Sequence, residues 1–231
     1  MAPLGWTALV SLMLSCAEPT RCRPNGPLAP TPASPGAGIR TDGLSGRQLR
    51  AWNSIVAVVL AMGPDGGPLN PTLHRLYREV DSSVHEVRIE LPCTSGSSAI
   101  AGRFRIEAVG EDGRCQAAII LNLRTIDRVL TGSPDAQLVT FEGLDRTERY
   151  AQVLGHELAH AAWTFADPER IRLVAEVQRR AHELARRAQT EGTAADGFRE
   201  QVDEIERLAR RLEEPALAAE AAINAELRAS R

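Results

Sequence analysis

Apolar residues recur along this chain with two different periods, and the change of period divides it. Trp52, Ile55, Val56, Val59 and Leu60 fall on one helical face, which predicts a helix over 47–62. The Pro64-Asp65-Gly66-Gly67-Pro68 stretch stops it, and 71–80 predicts a second, short helix. The period then becomes two. Val87, Ile89 and Leu91 alternate with Arg88 and Glu90, and Phe104, Ile106 and Ala108 alternate with Arg103, Arg105 and Glu107. Such alternation fits strands with one buried face. Glu111-Asp112-Gly113 reads as a turn leading into 117–123, a nearly continuous apolar run suited to a buried strand. Residues 126–130 fit one or two helical turns, and 137–141 a further short strand.

From Arg146 onward the helical period returns. The run through His160 holds no proline and places Tyr150, Val153, Leu154 and Leu158 at helical spacing, and Asp167-Pro168 ends it. Val174, Val177, Ala181, Leu184 and Ala188 form one stripe. Phe198, Val202, Ile205, Ala209 and Leu212 form another, across a glycine-bounded loop at 192–197. Two such stripes predict an antiparallel helical hairpin over 168–213. Pro215 fits the first turn of a last helix reaching about residue 229. The fold class expected is α+β, a small mixed sheet followed by a helix and a C-terminal helical hairpin.

The first residues change the picture of where the chain resides. Residues 1–16 carry a short apolar stretch that reads as an export signal and not as a membrane-spanning helix. Met13-Leu14-Ser15-Cys16 resembles a bacterial lipobox, which makes Cys16 the candidate lipidated N-terminus and the membrane a partner through that anchor. Residues 17–45 contain six prolines with glycine, serine and threonine, and read as a disordered tether to a folded domain over 46–231. Export would permit a disulfide, and Cys93 and Cys115, which bracket the central strand, are the candidates. The chain has no lysine and is rich in alanine, glycine and proline, which fits the codon usage of a GC-rich bacterial genome. A net charge of −3 leaves no broad cationic footprint, so no nucleic-acid partner is expected.

The candidate chemistry lies in His156-Glu157-Leu158-Ala159-His160. Histidines four apart stand one turn above each other on one helix face, so both imidazoles reach a single ion. Glu157 between them can take a proton from water at that ion, the arrangement of a zinc metalloprotease. A third protein ligand is needed. Trp163 and Ala166 stand where a metzincin would carry glycine and a ligand, which excludes that class. Glu176 and Glu220 remain as alternatives. Glu220 is preferred, because Asn224 one turn on shares its face and can hydrogen-bond the back of a ligand, whereas Glu176 is followed by Arg180.

His156-Glu157-x-x-His160 followed by Glu220-x-x-x-Asn224 resembles the gluzincin metallopeptidases, and the tail is similar to the helix of ImmA/IrrE-type peptidases. The resemblance covers two short motifs, and the long hairpin between them departs from compact members. It implies a zincin-like fold, Zn²⁺ held by His156, His160 and Glu220, Glu157 as general base, and a peptide or protein substrate aligned along a strand beside the site, either 117–123 or 137–141. The expected function is that of an exported zinc metallopeptidase in a bacterial cell envelope. The alternative is a non-catalytic envelope lipoprotein with a structural or vestigial zinc site and a partner-binding hairpin.

Overall fold

The structure, a computed structural model, describes residues 38–92, 100–129, 143–191 and 197–230. Its sheet has four strands in the order β1-β2-β4-β3: β1 Ile39–Arg40, β2 Glu86–Glu90, β3 Gly102–Val109 and β4 Cys115–Leu121. β1 and β4 pair parallel with β2, and β3 pairs antiparallel with β4, leaving β3 at an edge. The folded unit therefore begins earlier than the expected boundary at 46. Ile39 and Arg40 pair with Val87 and Arg88, and the Gly38 N–H reaches the Asp81 carbonyl at 3.2 Å. The composition of the tether had hidden this two-residue strand. Cys16, the signal and most of the tether lie outside the described residues, as do Cys93 and the expected strand at 137–141.

The period-two pattern divides the sheet as expected. Val87, Ile89, Phe104, Ala117, Ile119 and Leu121 are buried beneath the helices. Arg88, Glu90, Arg105 and Glu107 form a charged lattice on the other face, with Arg88 2.9 Å from Glu107. Ala118, paired with Arg88 and Arg105, is fully buried beneath them, because long arginine stems cover apolar surface while their heads stay wet.

Six helices are described: α1 Gly46–Val59, α2 Pro71–Asp81, α3 Leu123–Val129, α4 Arg146–Phe165, α5 Pro168–Glu191 and α6 Phe198–Ala229. The central one is α4. Asp145 caps it, accepting from Thr147 N–H at 2.8 Å and Glu148 N–H at 2.9 Å, and Glu148 returns a bond to the Asp145 N–H at 2.7 Å. This reciprocal pair satisfies amides that a helix start otherwise leaves open. Most of α4 is buried, since it packs against α1, α2, α6 and the sheet.

One expected boundary fails. Pro215 does not start a helix: α6 runs unbroken for 32 residues with Pro215 inside it. Proline there has no N–H for the Arg211 carbonyl, a loss of one backbone bond that the packing of α6 on α4 offsets. The stripes do form a hairpin, and it has its own core of Val177, Ala181, Leu184, Phe198 and Ile205. Among the described residues, no helix is long and apolar enough to cross a membrane.

Candidate metal centre

The helical spacing of His156 and His160 places their ring centroids 4.9 Å apart, at 73° to each other. Opposite them runs α6, antiparallel, whose Glu213, Ala216, Glu220, Ile223 and Leu227 recur at helical spacing. Ala216 and Ile223 are fully buried in the main core. Small residues let the helices approach. A Cβ on Gly155 would stand 2.4 Å from Ile223 Cδ1, so a larger residue before His156 would have to displace that buried side chain for α6 to lie this close.

The close approach brings a carboxylate to both rings. Glu213 Oε2 lies 3.3 Å from His156 Nε2 and 3.5 Å from His160 Nε2, and among the described residues these three form the group able to share an ion. Glu220 sits behind the first ring, its Oε2 2.8 Å from His156 Nδ1. Its other oxygen accepts from the buried Gln152 Nε2 at 3.0 Å. A carboxylate behind Nδ1 is the usual way an imidazole ligand is oriented, and it leaves Nε2 facing the cluster.

The structure groups Glu213, and not the expected Glu220, with the two histidines. Glu213 faces both histidines, and Glu220 orients His156 from behind. Asn224, expected in that orienting role, makes no such bond, and its buried Oδ1 has no partner among the described residues. Glu176 is far from this role: it lies exposed on α5, paired with Arg179 at 2.8 Å and Arg180 at 3.8 Å, which hold its carboxyl below the usual range. Glu213 is hidden in the sequence because the apolar stripe ends at Leu212 and Pro215 looks like the start of a new helix. A signal was available. Glu213 precedes Glu220 by seven residues, two turns on one face of an unbroken helix.

Donor chemistry and spacing fit a tetrahedral metal ion. Ligand atoms 2.0–2.1 Å from a tetrahedral centre stand about 3.3–3.4 Å apart, and the two histidine–glutamate separations are 3.3 and 3.5 Å. The electrostatics agree. Burial alone would lower the His156 pKa, but Glu213 and Glu220 outweigh it and raise it to about 10. Burial would raise Glu213, but its bonds to the two histidines hold it well below the carboxylate range. The cluster is a strongly coupled site for positive charge.

Glu157 lies between the cluster and the sheet, within electrostatic reach of His156, His160 and Glu213. It is 5% exposed, and burial raises its carboxyl above the usual range against the opposing pull of His160 and His156. It accepts a bond from the Phe104 backbone on β3. A Cβ on Gly102 would come within 2.5 Å of Glu157 Oε1, so glycine at the start of β3 makes room for that carboxylate.

One further expectation is corrected. Residues 117–123 overlap β4, which has β2 on one side and β3 on the other. Both its edges are used, so it cannot align a substrate, and β3 is the edge strand that touches the helix bearing the histidines. Cys115 is a free thiol, 1% exposed, packed in the core at the start of β4, and its expected partner Cys93 lies outside the described residues. Against known proteins, no family model, no curated protein and no solved structure matches this chain.

Proposed function

We propose that this protein is an exported zinc metallopeptidase of gluzincin type, with His156, His160 and Glu213 holding Zn²⁺ and Glu157 as the general base. The observation that carries the reading is the convergence of two imidazole nitrogens on one Glu213 oxygen at tetrahedral-edge distances. Held by these three residues, a zinc ion would supply a Lewis acid and would lower the pKa of a bound water to about 7. Glu157, next to His156 and bonded to the neighbouring edge strand, takes the proton of the attacking water on a carboxylate oxygen and delivers it to the leaving amine nitrogen. Glu220 and Gln152 fix the His156 ring so that Nε2 faces the ion. The zincin-like arrangement of the fold is part of the proposal, supported by an antiparallel edge strand beside the metal-bearing helix. Anchoring through lipidated Cys16 belongs to it as well.

The second reading, an envelope lipoprotein with a structural zinc and a binding arm, is favoured by one observation: the hairpin has a core of its own. One experiment separates the two. The purified protein is expected to carry about one zinc per chain and to cleave a peptide library, and Glu157→Gln is expected to keep the metal while turnover drops by about two to four orders of magnitude. A zinc-loaded wild type that cleaves nothing would establish the second reading. In the same preparations Cys16→Ser is expected to move the protein from the membrane to the soluble fraction, and an unchanged distribution would end the anchor proposal.

A further inference from the structure

The outer edge of β3 is already engaged from within the protein. Alternation along the strand turns the backbone groups of Gly102, Phe104 and Ile106 away from β4, until the register shift between Ile106 and Ala108 ends the regular edge. Glu157 takes the Phe104 N–H. Gln178, on α5, takes the next two groups: its Nε2 donates to the Phe104 carbonyl at 3.1 Å, and its Oε1 accepts the Ile106 N–H at 3.0 Å. One side-chain amide thus satisfies, as donor and acceptor, the pair of groups through which an added strand would engage this stretch.

Gln178 cannot withdraw by moving its backbone. Val177 beside it is buried in the hairpin core, and Val174 one turn earlier is buried in the main core. The start of α5 is pinned to the end of α4 by Arg170, which stacks 4.6 Å over the Trp163 ring and bonds the Trp163 carbonyl at 3.1 Å. A peptide lying over Phe104–Ile106 would have to break both Gln178 bonds to make two of the same kind, with no net gain. Neither Gln178 nor Glu157 takes the backbone groups of Gly102 at the near end of the strand.

We propose that Gln178 determines substrate length at the site assigned above: it closes the far half of the β3 edge, so that the protein cleaves short, extended peptides close to one end. The inference rests on the metallopeptidase reading. It adds a substrate class that the metal centre alone does not specify.

The test uses zinc-loaded full-length wild type, Gln178→Ala and Gln178→Met, the last keeping side-chain volume without the amide. The probe is a ladder of quenched-fluorescent peptides lengthened residue by residue at either end. Wild-type kcat/KM is expected to fall once the peptide extends along β3. Both variants are expected to abolish that fall, raising kcat/KM on the long members on the order of tenfold, mainly through KM, the worth of one to two backbone hydrogen bonds. Short peptides are expected to be cut at wild-type rates. In a Glu157→Gln background, which binds without turnover, Gln178→Met is expected to tighten binding of a long peptide by a similar factor. Unchanged length dependence, or an equal loss at every length with zinc retained, would overturn the assignment of Gln178 and leave the metallopeptidase reading intact. A wild type that cleaves no peptide in the ladder would overturn both.

Discussion

Two glutamates on one face of α6, seven positions apart, stand differently to the histidines. Glu213 meets both imidazoles at Nε2, and Glu220 meets one of them at Nδ1. Removing Glu213 takes away a ligand, so Glu213→Ala is expected to cost most of the zinc affinity. Removing Glu220 leaves the ligands and loosens one ring, expected at about 10–100-fold. Chelator competition on the two variants checks the order, and a larger loss for Glu220→Ala would reverse the roles. Sequence made Glu220 attractive through Asn224 at i+4, a pattern that many helix surfaces carry. It could not supply the length of α6, which decides which glutamate reaches the rings. Cys115 offers a second residue-level test. Burial pushes its thiol up from an ordinary 9.0 to about 11. The raised value favours the neutral form in the fold, so this group's contribution to stability is present below pH 9.0 and is lost as pH rises towards about 11. Native protein at pH 8 is expected to resist alkylation at Cys115 while the unfolded chain reacts; rapid native modification would contradict the burial.

Among the elements, packing at small residues holds the site together. Glycines are poor helix and strand formers, and Gly155 and Gly102 stand where α6 and the Glu157 carboxylate come too close for a Cβ. At Gly102 the obstructing Glu157 Oε1, 2.5 Å away, is the movable end of a side chain, whereas Val153 Cγ1 at 2.6 Å is buried beside it. Gly102→Ala is therefore expected to displace the general base and lower turnover at least tenfold with zinc content unchanged, at a stability cost of about 1–3 kcal/mol from overpacking. Loss of zinc, or full activity, would show that β3 does not position Glu157. Most elements were legible beforehand, because a period of 3.6 or 2 is written into which residues are apolar. The histidine helix, three of the strands and both hairpin stripes appear where the pattern puts them. Pairing order was not legible. That 117–123 overlaps an inner strand and that 102–109 is the edge depends on long-range pairing, and an apolar run looks the same in either place.

At the scale of the molecule, the proposed metal centre sits where two cores meet. Ala216, Ile223 and Leu227 of α6 belong to the main core, and Phe198 and Ile205 of the same helix to the hairpin core, with Leu212 packed against both. Glu213 follows Leu212 directly, so an ion shared with His156 and His160 ties α4 to α6 at the junction. Zinc that binds the folded chain and not the unfolded one stabilises it by mass action, about 4 kcal/mol at a thousandfold excess over Kd. For a chain of this size, that corresponds to a rise in Tm of roughly 8–16 °C. Thermal unfolding of the full-length protein, stripped by chelation and then titrated with zinc, is expected to show that rise, and Glu213→Ala is expected to lose nearly all of it. The same rise in Glu213→Ala would mean that the ion is held without α6. In that case the helix would be packing alone, and the pairing of Glu213 with the two histidines would be an ion pair between helices and not a metal centre.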